Sequence, residues 1–421
     1  MPIDKNQLEN LLSCLARDHE QELTHHKLLR DIQDHRIYVG SAPNEIVRPI
    51  QTYLESLPEF DPKHIHSIEF AGGWTRTNAE QLARMTAALV IETGNPKKSA
   101  AAVLEFAKGQ NIPAIAVLPI HGVRTEKKIK FSNDVELVPL KSLPETRLQR
   151  QLLFPTFNQT QQTFFALHAP MALTVRYTAK HPLRVHTSEE GLRNAKAQSR
   201  GQLESRLHEV ARCLCLAGPS AVIPGFSWHQ FEDPVLCRLS PVGGSGRHQE
   251  IQPLMIRARD PVDSKLSRHI VKNYANLDRG KRKEIDKGIS LLDQALRRLS
   301  PEDAAVDLAT ALELTVGESG GELGYKLGLR SSLIIGGSVD VRIRTRSIVE
   351  SLYGQRSRYL HGNKPKTSYK LRGVEPIESL SAKELIEEGA RICAAILRKY
   401  IERGSVPDWR RFEITGGRTW A

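Results

Sequence analysis

Between Val341 and Leu360 the apolar residues keep a helical period. At about 100° per residue, Val341, Ile348, Val349, Leu352, Tyr353, Tyr359 and Leu360 fall within about 140° of arc. Arg356 projects from the middle of that sector, while Arg344 and Arg358 lie on the opposite face. A solvated helix keeps its arginines on the polar side. Arg356 is therefore expected to point into a packed or intermolecular surface and to need an anionic partner there, RNA phosphate being a candidate.

The same helix has a marked end. His361 stands just before Gly362-Asn-Lys-Pro365, a stop signal, in a last turn near the negative end of the helix dipole, which favours a proton on its imidazole. Residues five apart on a regular helix are about 140° out of alignment, so one copy does not bring Arg356 and His361 onto one phosphate. Either the helix end rearranges, or two chains pool their residues.

Arg356-Ser-Arg-Tyr-Leu-His361-Gly resembles the Arg, four to six residues, His signature of HEPN-domain ribonucleases, specifically the Apea-like subfamily. Upstream, Ala311-Leu-Glu-Leu-Thr315 and Gly324-Tyr-Lys-Leu-Gly-Leu-Arg-Ser-Ser332 are similar to that subfamily's first core helices, and Tyr353 stands in its customary place before the Arg-Ser pair. The likeness covers residues 261–405. It implies an all-helical bundle, a homodimer in which two motifs face one cleft, and metal-free cutting of RNA, with no cofactor. The implied chemistry is attack of a ribose 2′-OH on the adjacent phosphorus, leaving a cyclic phosphate and a 5′-hydroxyl.

In that chemistry His361 would move the proton and Arg356 would stabilise the charge growing on the phosphoryl oxygens. Glu313, Arg358 and Tyr359 are supporting candidates; a glutamate at 313 also has the plain reading of an ion-pair partner for a nearby arginine. The resemblance further implies a phage-defence or toxin-type effector acting on cellular RNA, tRNA included. The plainer alternative makes the motif a relic in a dimerising helical module.

Composition agrees with a polyanionic partner. The chain has 421 residues, a formal charge of +12 and a pI near 9.5, and phosphate neutralisation dominates nucleic-acid affinity. Much of the excess is local: Arg342, Arg344, Arg346, Arg356, Arg358, Lys364, Lys366 and Lys370 surround the motif, with Lys281, Arg282 and Lys283 upstream. Five cysteines at 14, 213, 215, 237 and 393 include no Cys-x-x-Cys pair and are expected to be reduced, mostly buried thiols. His25 and His26 lack a third residue at metal spacing. No apolar run approaches the roughly 20 residues of a membrane span, and Met1-Pro-Ile-Asp-Lys5 lacks the pattern of a signal peptide. A soluble, cytoplasmic protein with no membrane contact is expected.

The N-terminal third is patterned differently. After a helical leader (1–33), Arg36-Ile-Tyr-Val-Gly-Ser-Ala-Pro43 is an apolar strand entering a loop. A helix is expected from Asn44 to Leu57, then a strand at Ser67–Phe70, a polar helix from Thr77, a strand at Ala87–Ile91, a helix at Lys98–Lys108 and a strand at Ile112–Leu118. The alternation predicts a small doubly wound parallel-sheet domain over 34–145, within a multidomain α/β plus all-α chain. Gly40, Ser41, Ala42, Glu92, Gly94 and Glu105 would share the ligand-binding rim of such a sheet.

Ala101-Ala-Val-Leu-Glu-Phe-Ala-Lys-Gly-Gln-Asn-Ile-Pro-Ala-Ile-Ala-Val117 is similar to the nucleoside 2-deoxyribosyltransferase and TIR-like group, which carries a glutamate on the helix before such a strand. The likeness implies a nucleotide ligand or, as an alternative activity, nucleoside or NAD glycosidic hydrolysis by Glu105. The chain departs from the pattern in having Glu92-Thr-Gly where an Asp-Gly pair is expected, and Phe106 after the glutamate. A third reading is a non-catalytic RNA-binding adaptor. Control of the helical domain by the N-terminal one is the expectation that follows from the domain order.

Residues 146–260 form a mixed middle region: strand character at Phe164–His168 and Ala172–Thr178, a helix from Gln202 to Leu216, and a glycine-rich loop, Ser240–Arg247, without the Gly-Lys-Ser/Thr ending of a phosphate loop. Trp228, His229 and Phe231 have the rings to stack on a base, though single aromatics in such a segment usually belong to a core. Beyond the motif, Ser381-Ala-Lys-Glu384 is a capping box that opens a helix carrying Leu385, Ile386, Ala390, Cys393, Ile396, Leu397 and Tyr400. Residues 406–421 read as a loose basic tail.

Overall fold

Helix ends in this chain are written in cap residues, and the computed structural model places elements where those caps fall. It describes residues 4–21, 44–57, 64–71, 73–107, 111–131, 134–146, 171–180, 183–186, 202–239, 261–317, 322–364 and 366–420, with a few isolated positions between them. The elements run α1 (Lys5–Asp18), α2 (Asn44–Glu55), β1 (Ile65–Phe70), β2 (Gly73–Thr77), α3 (Ala79–Thr93), α4 (Pro96–Ala107), β3 (Ile112–His121), β4 (Ile129–Lys130), β5 (Val135–Pro139), β6 (Met171–Ala179), β7 (Leu183–His186), α5 (Gln202–Leu214), β8 (Ile223–Pro224), β9 (Ser227–Phe231), α6 (Leu236–Leu239) and β10 (Gly244–Ser245). They continue with α7 (Ser264–Ala275), α8 (Arg279–Arg297), α9 (Pro301–Val316), α10 (Leu323–Ile335), α11 (Val339–Leu360), β11 (Ser368–Lys370), β12 (Ser379–Ser381), α12 (Ala382–Arg403) and α13 (Trp409–Ile414).

Two units share these elements. The first collects residues 1–119, 139–207 and 225–248; the second collects 120–138, 208–224 and 249–421. The fold is mixed α/β with a largely helical C-terminal part.

In the first unit β1 pairs antiparallel with both β2 and β7, and β3 pairs antiparallel with β9. Since β1 and β3 lie in different sheets, these strands do not form the doubly wound parallel sheet expected over 34–145. One reason is local: the expected strand Ala87–Ile91 is helix, the C-terminal half of α3. Asn78 accepts from the Gln81 N–H at 2.7 Å, Gly94 closes the helix at φ +60, and Leu82, Ala83, Leu89 and Val90 all face inward. A short apolar run has no periodicity of its own, and the caps decide its state. The core gathers α1, α2, α3 and α4 around Leu12, Ile50, Leu82, Val103 and Phe106, with Phe231 5.2 Å from Phe70 and 6.0 Å from Phe106. Trp228, His229 and Phe231 are buried. Their burial leaves none of them on a base-stacking surface.

The second unit is built on α7 to α12. Ser381 accepts from the Glu384 N–H at 3.3 Å and donates its own N–H to Glu384 Oε2 at 2.8 Å, the reciprocal pair expected of the capping box. Leu385, Ala390, Cys393, Ile396, Leu397 and Tyr400 of α12 are buried as expected, and Ile386 is half-buried. The described part of the expected tail, residues 406–420, is not loose. Phe412 of α13 is buried, Glu413 pairs with the buried Arg330 at 2.5 Å, and the Trp420 indole donates to the Ser405 carbonyl at 3.1 Å. An aromatic cluster of Tyr400, Trp409, Phe412 and Trp420 outweighs the basic character of the segment.

Cys213, Cys215, Cys237 and Cys393 are buried and Cys14 is exposed, all as free thiols; burial pushes the Cys393 thiol up to about 12. No described helix is long and apolar enough to cross a membrane. The strand Arg36–Pro43, the histidines at 25 and 26, the segment Phe164–His168 and most of the glycine-rich loop lie outside the described residues.

Candidate functional site

The site is built where α9, α10 and α11 meet. Ser338 caps α11 by accepting from the Val341 N–H at 3.3 Å, and Ser300 caps α9 by accepting from Asp303 at 3.2 Å, with Pro301 in the first turn. Gly324 lets α10 approach closely: a Cβ there would lie 2.8 Å from Tyr353 Cδ1. The Tyr353 ring therefore packs close to the α10 backbone at Gly324, and the Arg356 guanidinium carbon sits 5.6 Å from its centroid.

Arg356 does have its anionic partner, and that partner is intramolecular. Its Nη1 lies 2.8 Å from Glu313 Oε1, with the two side chains 22% and 20% exposed. A half-buried pair of this kind holds the guanidinium in place while leaving part of its fork near solvent. The apolar sector of α11 splits accordingly. Ile348, Val349 and Leu352 are fully buried, whereas Val341, Tyr359 and Leu360 are 46%, 41% and 57% exposed.

His361 ends α11 in a Schellman turn. The Asn363 N–H bonds to the Arg358 carbonyl at 2.9 Å and the Gly362 N–H to that of Tyr359 at 3.0 Å, while Gly362 adopts φ +70. The His361 side chain is exposed. Arg358 steadies the turn by donating to the Lys364 carbonyl at 3.1 Å, and Tyr359 donates its hydroxyl to Asp303 Oδ1 at 3.1 Å, which pushes the phenol's pKa up. Arg356 thus pairs near the C-terminal end of α9 and Tyr359 near its N-terminal end, while Arg358 holds the turn that carries His361.

The basic surplus around the motif is smaller than the sequence count. Arg344 is paired rather than free: it makes a bidentate contact with Glu378 at 2.8 and 2.9 Å and reaches Glu388 at 3.0 Å. Arg346 pairs with Glu350 at 2.7 Å and lies 4.5 Å from the Tyr325 ring centroid. Arg358, Lys364, Lys366 and Lys370 remain exposed.

Two features of the site were not legible in advance. Asp303 reaches Tyr359 across 56 residues, so nothing local announces it. Gln355, 1% exposed, keeps both amide atoms without a hydrogen-bond partner, and the neighbouring Arg356 Nε is also buried and unbonded.

Glu105 is exposed on α4, with Phe106 next to it in the core; Gly40 and Ser41 lie outside the described residues, as does the side chain of Glu92. Among the described residues no cluster of histidine, cysteine or carboxylate side chains could hold a metal ion.

No family model matches this chain, and neither the curated proteins nor the solved structures contain a significant match.

Proposed function

We propose that the helical unit is an HEPN-type endoribonuclease that cuts cellular RNA by 2′-OH transesterification without a metal ion. The reading rests on one observation above the others: Arg356 is held by Glu313 and Tyr353, and His361 stands exposed in the turn that closes the same helix. A permanently charged fork and a titratable imidazole are the two groups that the reaction requires. The 2′-oxygen forms a bond to phosphorus as the bond to the 5′-oxygen breaks. His361 moves the proton from the attacking hydroxyl toward the leaving oxygen, and Arg356 stabilises the charge on the non-bridging oxygens.

Apolar exposure at Tyr359, Leu360 and Leu314 beside these residues supports the pooling of two motifs in a homodimer. The exposed Arg358, Lys364, Lys366 and Lys370 supply a phosphate-binding margin.

The test is cleavage of total tRNA by the purified protein in the presence of a chelator. Wild type is expected to leave cyclic-phosphate and 5′-hydroxyl ends, and Arg356→Ala and His361→Ala each to lose roughly a hundredfold or more in rate. Cleavage that survives both substitutions would place the active site elsewhere.

A further inference from the structure

Away from Arg356 and His361, α7, the end of α10 and α12 line a half-open cavity of about 240 Å³. Leu266, Ile270 and Ile335 form its apolar wall, His269 and Asn273 of α7, 3.0 Å apart, add a polar edge, and its charged margin is Arg398, Lys399 and Glu402 of α12. Lys399 and Glu402 lie 3.7 Å apart and offset one another. Arg398 has no such counterpart. Its Nη1 donates to the Leu216 carbonyl at 2.7 Å, and among the described residues no carboxylate pairs with it.

Other arginines of this unit are treated differently. Arg298, Arg344 and Arg346 are pushed up by hydrogen bonds to Asp307, Glu378 and Glu350. Arg398 is pushed down by burial. A half-buried guanidinium anchored by a neutral carbonyl carries a charge that its surroundings leave uncompensated, and a buried charge is costly unless it is paired.

We infer that this cavity is a binding site for a small organic monoanion, a carboxylate on a short apolar body, with Arg398 receiving the carboxylate and Leu266, Ile270 and Ile335 covering the rest. The charge count selects a monoanion. With Lys399 and Glu402 offsetting each other and His269 bonded to Asn273, Arg398 is the one fixed positive charge left, and Glu402 on the margin opposes a doubly charged phosphate. A largely apolar pocket with a few convergent polar groups is the usual form of a small-molecule site, and arginine's planar fork matches a carboxylate. The site uses none of the residues assigned to RNA cleavage.

The experiment is calorimetric titration of the full-length protein with octanoate, using octanol and octylamine as controls. Saturable binding of octanoate alone is expected, weakened tenfold or more in Arg398→Met by loss of a charge-assisted contact. Ala395→Phe, which fills the cavity from its α12 wall, is expected to abolish binding while keeping the guanidinium. This second variant keeps the inference testable if Arg398→Met does not fold. Equal binding of octanol, full-strength binding to either folded variant, or no binding to wild type would overturn the inference.

Discussion

Arg356 Nη1 lies 2.8 Å from Glu313 Oε1, a pair that ties the end of α11 to α9 and answers the demand for an anion that the helical pattern places on Arg356. The carboxylate does this from within the chain. Phosphate would then meet an arginine already held in position, so the pair is a positioning contact as much as a stabilising one.

Glu313→Gln should separate those effects. Removing the charge leaves a half-buried guanidinium without its partner and is expected to lower stability by about 1–2 kcal/mol, short of the cost at a fully buried site. Urea denaturation measures this. In the tRNA assay Glu313→Gln should retain more activity than Arg356→Ala, because the reacting groups remain; equal loss would mean that the carboxylate itself takes part in the chemistry.

Gln355 carries two buried amide atoms that nothing bonds. Gln355→Met keeps the length of the side chain and removes both atoms, and is expected to stabilise the fold by about 1–3 kcal/mol, the cost of an unsatisfied buried group. Thermal denaturation reports it. A stable variant that has lost RNA cleavage would assign the amide a role at the site, whereas a destabilised one would show that it has a partner in solution.

Gly324→Ala brings helix propensity and packing into opposition. Alanine gains about 1 kcal/mol in an exposed helix interior, but its Cβ would come within 2.8 Å of the Tyr353 ring. Overpacking costs about 1–3 kcal/mol. The expected net result is a modest loss in urea midpoint and a weaker RNA cleavage rate, since the ring that flanks Arg356 must move.

The Arg344–Glu378 contact predicts a pH dependence. Hydrogen bonding to Arg344 holds the Glu378 carboxyl below its usual value, so its folded pKa is depressed. Such a group contributes stability above the ordinary glutamate value of about 4.3 and loses it as pH falls through the depressed folded value. Both partners are about a third exposed, so the contribution is about 1 kcal/mol or less. Arg344→Met should therefore be less stable than wild type at pH 7, and denaturation curves for the two should converge below pH 4. A constant difference down to pH 3 would remove Glu378 from the account.

Local chemistry was enough to place the elements that carry their own boundaries. Ser381 and Glu384 bond reciprocally, Gly362 turns left-handed after His361, and α12 buries the face that its spacing defines. These follow from interactions within four or five residues. The strand expected at Ala87–Ile91 failed for the complementary reason: five apolar residues fit either state, and Asn78 and Gly94 at the distant ends decided it.

Tertiary structure alone decided which charges meet. Glu313 and Arg356 are far apart in the chain, as are Arg344 and Glu378, Arg330 and Glu413, and Tyr359 and Asp303. No periodicity encodes such pairs, because they depend on how helices are set against one another. The same packing turned a basic-looking terminus into a docked helix and left Arg398 beside a cavity without a counter-charge. From the sequence came the motif, its helix and its stop signal. Which of its arginines remain available to a phosphate was determined by long-range packing, since Arg344 commits its fork to Glu378 and Glu388 whereas Arg356 meets Glu313 through Nη1.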